Sequence, residues 1–277
     1  MLSILPQNVS KSGAGRLEFE KVRDHTIVRS KFSKSPLHFL NPKNSGKMAW
    51  VYASSLGGGL VGGDHIDIHL HARKKSELLL LSQSSTKIYR SEIPSSHSLR
   101  AVVEEEAILI SMPDPIVCYR GSSFTQNQNY DLKNRASLLL VDAFYSGRYT
   151  SGERWCFKSF RNRIQVTRNE NTIFLESLFL DSSLGKLSMR LGRFNCFCVV
   201  LLFGSRLEEY GVSILNEVGS LPVSARADLL VTASPLATEG TILRIAGIST
   251  EEVMSTMRHF LDFVPAIVGD NPWTRKA

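Results

Sequence analysis

Apolar and polar residues alternate with the period of β-strands along most of this chain. In residues 65–72 every second side chain is apolar, and the side chains between them are Asp or His. Successive side chains of a strand point to opposite faces, so this segment predicts one buried and one polar face. The sequence therefore predicts a mainly β protein. Further strand-like segments occupy residues 16–32 (two runs separated near Asp24), 47–53, 77–82, 98–111, 136–141, 154–167, 171–181 and 194–203.

Two segments depart from simple alternation. Residues 77–82 (ELLLLS) are almost continuously apolar, which is typical of a strand buried on both faces. Within 154–167 the alternation changes register near Ser159, which predicts a bulge or bend there. We find no repeat of fixed period, no low-complexity tract and no linker. One domain is therefore expected over residues 1–277, with a short flexible N-terminus (about 1–14) and a C-terminal tail (about 269–277).

Helical periodicity occurs in two late segments. Ser205 and Glu208 form a possible capping box before apolar residues that are spaced by three, four and seven. Ser249 is a second candidate cap, and the apolar face that follows it continues to Val264. We therefore expect two α-helices, the second ended by Pro265.

Composition narrows the class of protein. The 277 residues are 43% hydrophobic and 21% charged, as in ordinary globular proteins. No apolar run approaches the ~18 residues of a membrane helix, and the N-terminus lacks the pattern of a secretory signal. We therefore expect a cytoplasmic protein that makes no membrane contact, with reduced and mostly buried thiols. The four cysteines, which form no C-x-x-C pair, are Cys118, Cys156, Cys196 and Cys198.

The charge of this chain leaves nucleic acid as an alternative partner. A net charge of +7 and a pI of about 9.3 favour acidic partners. The basic residues are dispersed, however, and the densest cluster, at 73–75, fits an exposed hairpin turn. A nucleic-acid-binding β protein would need aromatic and basic residues interleaved on one exposed sheet face. The nearest match to that pattern is Trp155-x-Phe157 followed by Lys158, Arg161 and Arg163.

A glycine-rich segment resembles a dinucleotide-binding fingerprint. Gly57, Gly59 and Gly62 match G-x-G-x-x-G. That site requires a helix after the glycines, because the helix N-terminus binds the phosphates. Here a strand-like segment follows instead. The glycines therefore predict a tight turn between strands, with Asp64 at the start of the second strand.

The histidines of the same region form a possible metal-binding pair. His69 and His71 are two residues apart on the predicted strand, so their rings share one face and could bind a metal with Asp67. The commoner arrangement is a polar stripe that faces solvent.

Hydrolase chemistry is disfavoured, because no G-x-S-x-G elbow occurs and no histidine has an evident acidic partner that would orient it.

Several motifs, taken in order, resemble the urease accessory protein family UreD, also called UreH. No single motif is decisive, but the ordered set is specific, and it extends from about Leu56 to the last predicted helix. The motifs are GGGLVGGD (57–64), QSSTKIYRS (83–91), MPDPIVCYRGSSFTQ (112–126), DAFYSGRYTSGERWCF (142–157), the weaker IFLESLFLD (173–181), and the closing segment from Arg244.

This resemblance implies a non-enzymatic role in the maturation of urease. Members of the family act as scaffolds that bind the urease apoprotein and a UreF-like accessory protein, which in turn holds a UreG-like GTPase that carries nickel. Nickel is thought to pass through an internal, water-filled tunnel, so transient Ni²⁺ and no permanently bound cofactor are expected. Nucleic acid is not an expected partner. The implied fold has stacked sheets in a β-helix-like arrangement with two late helices, which agrees with the two helices predicted above.

A nickel path needs ligands that release the ion, and carboxylates, hydroxyls and water suit this role. Three acids on the shared motifs are the candidates: Asp64, Asp142 and Glu176. A buried acid is costly unless it is paired, so each could instead form a salt bridge. The arginines available for pairing are Arg90, Arg148 and Arg154. Thr86 and Lys87 could point into the same space, or could serve the local turn and strand.

The C-terminal amphipathic helix is the candidate surface for the UreF-like partner. A scaffold that works in complexes is expected to expose larger apolar patches than a monomer does. The residues assigned to this surface are Met257, Phe260, Leu261 and Trp273.

Overall fold

The computed structural model describes residues 12–274, which form two β-sheets and four α-helices, so the expected mainly β fold is confirmed. The strands are β1 (Ser12–Val22), β2 (His25–Lys34), β3 (Leu37–Leu40), β4 (Ala49–Ser55), β5 (His65–Ala72), β6 (Glu77–Ser82), β7 (Thr86–Ile88), β8 (Ser95–Val103), β9 (Ile108–Met112), β10 (Ile116–Cys118), β11 (Ser123–Leu132), β12 (Ser137–Tyr145), β13 (Ser159–Arg168), β14 (Asn171–Asp181), β15 (Cys196–Phe203), β16 (Leu229–Pro235) and β17 (Thr241–Gly247). The helices are α1 (Leu187–Arg190), α2 (Glu208–Ser220), α3 (Thr250–Phe260) and α4 (Val264–Val268).

The two sheets share a parallel centre with antiparallel edges. The first sheet has the order β14-β13-β11-β8-β5-β1-β2, and its strands are parallel from β1 to β13. The second sheet has the order β16-β17-β15-β12-β9-β6-β4-β3, and its strands are parallel from β4 to β12. The short strands β7 and β10 pair with each other, and β10 also pairs with β12.

From β4 to β13 the chain coils repeatedly between the two sheets, apart from the short β7 and β10. At one end of the strands, tight turns at 73–76, 104–107 and 133–136 connect the two sheets. Longer loops connect the sheets at the other end of the strands. The third residue of each tight turn, Lys75, Glu106 or Arg135, has a φ of 59°. The basic cluster at 73–75 is thus a turn between sheets and not a hairpin tip. The turns recur about every 30 residues, but unequal loops hide this recurrence in the sequence.

Two hydrophobic cores lie on either side of the second sheet. Leu78 and Leu80 of β6 point into the larger core between the sheets. Leu79 and Leu81 point to the opposite face, where α2, α3 and α4 cover the second core. This explains the continuous apolar run in residues 77–82, since both faces of β6 are buried.

The predicted helices are present, but their ends differ from expectation. The N-cap of α2 is Leu207 without a side-chain hydrogen bond, so the expected Ser205 capping box is wrong. The Ser249 hydroxyl does cap α3, accepting from the backbone N–H of Glu252 at 3.3 Å. Pro265 lies in the first turn of α4, where proline is tolerated, and does not end α3, which stops at Phe260. No helix within residues 12–274 is long and apolar enough to cross a membrane.

The remaining differences concern strand boundaries. Residues 98–111 contain parts of β8 and β9, which belong to different sheets. The register change near Ser159 marks the start of β13, and the irregularity in its pairing falls between Val166 and Thr167. The strands outside the predicted segments are β3, β7, β10, β11, β16 and β17. Residues 12–14 of the expected flexible N-terminus belong to β1, whereas residues 1–11 and 275–277 lie outside the described residues.

Candidate functional site

A cavity of about 110 Å³ lies between the two sheets. It extends from Gln83 and Ser84, which are exposed, to Asp142, which is only 5% exposed. A space of this size holds several water molecules. The described lining residues include two aspartates and no lysine or arginine. Polar residues that line the wall, beside apolar ones from both sheets, are Ser54, Ser55, Ser82, Ser85, Thr86, His97, Ser111, Asp114, Gln126 and Gln128.

Asp142 lies at the inner end of this cavity and is held by three amide side chains. It belongs to β12 and directly follows the apolar run ASLLLV. Its Oδ1 accepts hydrogen bonds from Nε2 of Gln126 and Gln128, both at 2.8 Å. Its Oδ2 accepts one from Nδ2 of Asn162 at 2.6 Å. Three donors directed at one carboxylate favour its ionised, acceptor-only form.

These amides come from strands in the opposite sheet. Gln126 and Gln128 alternate with outward-facing residues along β11, so both point into the sandwich. Asn162 of β13 is the register partner of Gln126. The Tyr130 hydroxyl donates to Gln128 Oε1 at 2.8 Å, which orients that amide. Gln128 and Asn162 were not predicted from the sequence, where their signal was an amide on the apolar side of an alternating strand.

Burial raises the pKa of Asp142 to about 6, because removal from water disfavours the charged carboxylate. The three amide donors lower the pKa, and the nearby charge of Glu176 raises it. The partners of Asp142 in the described structure are thus amides. The salt bridge to Arg90, Arg148 or Arg154 that was considered for it is wrong.

His97 is a further lining residue that was not predicted from the sequence. It lies on the inner side of β8, in register with Gln126 of β11. Its Nδ1 is 3.5 Å from Gln126 Oε1. Burial lowers the pKa of His97, and the contact with Gln126 opposes this change. The neutral imidazole is therefore the favoured form in the cavity.

Two of the shared motifs pack against each other near the mouth of the cavity. The backbone N–H of Leu60 donates to Lys87 O at 2.8 Å, and that of Tyr89 donates to Leu60 O at 2.9 Å. A Cβ on Gly59 would lie 2.4 Å from Lys87 O, so this approach requires glycine. Thr86 lines the cavity, whereas Lys87 contributes its backbone to this contact.

The other aspartate of the lining lies nearer the mouth, next to β6. The Ser82 hydroxyl donates to Asp114 Oδ2 at 2.9 Å and accepts from the Asp114 backbone N–H at 2.6 Å. This reciprocal pair joins the end of β6 to the loop after β9. The loop positions that follow Ser82 therefore face the cavity beside a carboxylate.

Asp64 has a structural position at the end of the glycine turn. Its Oδ2 accepts from the backbone N–H of Val61 at 2.9 Å, and its backbone oxygen accepts from Ser96 at 2.9 Å. It is buried but does not belong to the cavity lining. The strand β5 follows it directly, so the predicted turn is confirmed and the glycines lack the helix of a dinucleotide site.

Glu176 lies on the edge strand β14 and is paired with an arginine. Arg244 Nη2 donates to Glu176 Oε2 at 2.8 Å. Arg244 belongs to β17, so this bond joins the two sheets. A salt bridge had been considered for Glu176, but with a different arginine. Glu176 does not line the cavity, although its charge affects Asp142 beyond the inner end.

The three motif arginines lie in loops, and two of them bond to other loop residues. Arg148 donates to Glu153 at 2.5 Å. Arg154 donates to Asn195 Oδ1 at 2.5 Å and to the backbone oxygen of Gly192. Arg90 lies in the loop after β7. None of the three bonds to a candidate acid in the described structure.

The histidine pair on β5 does not assemble a metal site. Nε2 of His69 is 3.0 Å from Asp67 Oδ2, whereas Nε2 of His71 is 2.7 Å from Glu104 Oε1. The two rings therefore bind different carboxylates. Within residues 12–274, no group of three or more His, Cys, Asp or Glu residues could hold a metal ion.

The apolar face of α3 packs on the second sheet. Met257, Phe260 and Leu261 are 2%, 5% and 0% exposed. Trp273 also packs against this core, half-buried. The amphipathic pattern that suggested a partner surface thus marks the side of the helix that faces the protein's own core. Other side chains would have to form the interface expected here.

The aromatic residues that a nucleic-acid-binding face would need are buried. Trp155 and Phe157 are 4% and 1% exposed and pack in the core between the sheets. Arg161 stacks on Phe179 of the neighbouring strand. Buried rings cannot stack on bases, so the pattern read from residues 155–163 does not form a binding face.

The cavity lining combines hydroxyl, amide, carboxylate and imidazole groups. Oxygen donors of this kind bind divalent cations and release them more readily than a closed Cys/His cage does. The four cysteines are free thiols, and Cys118, Cys196 and Cys198 are buried. These groups are chemically suited to attract a hydrated cation.

Comparison with known proteins gives consistent results over nearly the whole chain. A family model described as UreD urease accessory protein matches residues 11–276. The chain is 38% identical to the urease accessory protein UreD of Sorangium cellulosum, over 98% of this chain and 86% of that protein. It is 34% identical to UreD of Anaeromyxobacter, over 98% and 91%. Urease accessory protein D of Oryza sativa subsp. indica is 29% identical, over 95% of each chain.

Proposed function

This chain belongs to the UreD family of urease accessory proteins, and on that basis we propose that it is a non-enzymatic scaffold for urease maturation. It binds the urease apoprotein and a UreF-like accessory protein, and through the latter a UreG-like GTPase. In this complex it supports nickel delivery to the urease active site. Nickel is its cargo and not a permanently bound cofactor.

The internal cavity is the observation that carries the nickel part of the proposal. A divalent cation entering at the exposed residues Gln83 and Ser84 would meet hydroxyl and amide groups before reaching Asp142. The described lining has no lysine or arginine to repel it. Since a carboxylate attracts a cation strongly in a low-dielectric interior, Asp142 is the natural stopping point.

The amides around Asp142 suit temporary binding. Gln126, Gln128 and Asn162 donate hydrogen bonds to the carboxylate when no cation is present, so its oxygens are not left without partners. Their oxygens and the carboxylate can replace part of a hydration shell when a cation arrives. Asp142 therefore exchanges three hydrogen bonds for a metal contact and can reverse the exchange.

The path continues from Asp142 toward Glu176. The negative charges of Asp142 and Glu176 lie close enough to interact, and Glu176 is bonded to Arg244 of the other sheet. A cation that reaches Asp142 would compete with Arg244 for the Glu176 carboxylate. Glu176 thus serves as the exit-side ligand in this proposal, while Asp64 stabilises the loop at its own edge.

The test compares two Asp→Asn substitutions in cells that lack the native gene for this chain. Asp142→Asn keeps size but removes the charge in the cavity. Asp131→Asn makes the same change on β11, at a half-buried site paired with Lys133. In pull-down experiments we expect the Asp142 variant to retain both protein partners. Urease from the same cells should contain little nickel. The Asp131 variant should restore activation.

Two results would contradict the proposal at different levels. Fully active urease in the clean deletion, at ordinary nickel levels, would remove the maturation role. Normal nickel content of urease with Asp142→Asn would leave the scaffold role standing and remove the cavity from the path.

A further inference from the structure

We propose that His97 makes the cavity selective for nickel-like transition-metal ions over Mg²⁺ and Ca²⁺. It does so by supplying a nitrogen ligand on the way to Asp142. This inference rests on the proposed cation path and adds the residue that chooses the ion.

The position of His97 follows from strand register. His97 of β8, Gln126 of β11 and Asn162 of β13 are register partners across three neighbouring parallel strands. Their side chains form one polar row on the inner face of the first sheet. Asp142 reaches down to the second and third members of that row from the opposite sheet. A cation moving along the row therefore meets His97 before the carboxylate.

The ligand chemistry of the other lining groups does not discriminate between ions. The serine, threonine, glutamine and aspartate side chains present oxygen, which suits Mg²⁺, Ca²⁺ and Mn²⁺. Imidazole nitrogen suits nickel, zinc, copper and iron. Among the described lining residues, His97 has the only imidazole. Preference for a transition-metal ion would therefore depend on this side chain.

The free nitrogen of the ring is available for a metal. Nδ1 faces the Gln126 carbonyl oxygen, which can only accept, so the tautomer that satisfies this contact has its proton on Nδ1. Nε2 then holds the lone pair, and it makes no hydrogen bond to any residue within 12–274. The neutral ring with a free lone pair is the form that binds metals.

A purely structural role would be weak. The 3.5 Å contact between His97 and Gln126 is at the limit of a hydrogen bond. Gln126 is already oriented by Asp142 and Asn162. Replacement of the ring by another polar side chain should therefore preserve the fold and the amide cluster.

The experiment measures ion preference directly with the full-length protein. Equilibrium dialysis at pH 7.5 gives the affinity for Ni²⁺ alone and the retention of Ni²⁺ in excess Mg²⁺. Four proteins are compared: wild type, His97→Gln, Asp142→Asn and His69→Gln. The last carries the same substitution on the outer face of β5, where the ring binds Asp67. Visible absorption of bound Co²⁺ reports whether a nitrogen ligand is present.

We expect His97→Gln to weaken Ni²⁺ binding about tenfold or more. Loss of a group that merely orients a metal ligand already lowers metal affinity about 10- to 100-fold. Mg²⁺ binding should not change, and the Co²⁺ bands should shift toward those of an all-oxygen site. Asp142→Asn should weaken both ions, and His69→Gln neither. An unchanged Ni²⁺/Mg²⁺ ratio and Co²⁺ spectrum in His97→Gln overturns this inference alone. Absence of Ni²⁺ binding by the wild type overturns it together with the proposed cation path.

Discussion

Arg244 Nη2 donates to Glu176 Oε2 across the two sheets at 2.8 Å, beside the carboxylate of Asp142. The Arg244 side chain is 51% exposed and that of Glu176 is 28% exposed. Water therefore screens the pair, and its contribution to stability is about 0–1 kcal/mol. The pair still affects Asp142, because the negative charge of Glu176 raises the pKa of that neighbouring carboxyl group.

Glu176→Gln should lower the pKa of Asp142. The substitution removes the negative charge that raises this pKa, while the amide can still accept a hydrogen bond from Arg244. The measurement is a ¹³C titration of the Asp142 carboxyl group by NMR. Glu170→Gln, in the exposed turn between β13 and β14, is the control and should leave the titration unchanged. An Asp142 titration identical in both variants would contradict the arrangement.

Met257→Ala should destabilise the fold strongly. Met257 is 2% exposed between α3 and the second sheet, and deletion of such a side chain costs about 2–5 kcal/mol. Met189 is 79% exposed, so Met189→Ala should change the free energy of unfolding by about 0.5 kcal/mol or less. Urea unfolding of both variants measures the difference. Equal midpoints would mean that the apolar face of α3 is not buried.

Some elements could be predicted from sequence because their pattern reports burial directly. In β5 the buried residues Ile66, Ile68 and Leu70 alternate with half-buried or exposed ones, as expected. The segment 98–111 could not be divided in the same way. Its turn has a non-glycine residue, Glu106, at positive φ, so no glycine or proline marks the crossing between sheets.

The site was only partly predictable for a related reason. Asp142 stands out as an acid on an apolar strand, but Gln128 and Asn162 look like ordinary polar positions. They reach Asp142 from 14 and 20 residues away, through the register of a sheet that the local sequence does not encode. The pairing of Glu176 with Arg244 spans 68 residues and was equally invisible.

Gly59→Ala should cost more stability than Gly57→Ala. Gly57 has a φ of 103° with open space around a built Cβ, so alanine there adds backbone strain of about 1–3 kcal/mol. At Gly59 the Cβ would also lie 2.4 Å from Lys87 O, and the contact between the two loops must open. Thermal unfolding of the pair of variants measures this difference. Equal losses would show that the close approach does not constrain this loop.

Asp142→Asn should change how stability depends on pH. The folded-state pKa of Asp142, about 6, is above the ordinary value of 3.8. Its stabilising contribution is therefore fully present below about pH 4 and is lost as the pH rises through 6. At about 1.4 kcal/mol per pKa unit, the loss approaches 3 kcal/mol. The asparagine variant lacks this titration, so wild type should lose stability relative to it between pH 4.5 and 7.5.

Asp181→Asn provides a control with the opposite sign. Hydrogen bonds from the Ser183 hydroxyl and backbone N–H lower the pKa of Asp181, so its contribution is present above the ordinary pKa and is lost as the pH falls. Urea unfolding of wild type and both variants from about pH 2.5 to 7.5 separates the two effects, because lost hydrogen bonds shift each curve by a constant. A difference between wild type and Asp142→Asn that does not vary from pH 4.5 to 7.5 would mean that the buried carboxyl titrates as it does in water. Asp142 would then be too well solvated to act as the charged end of an enclosed cation path.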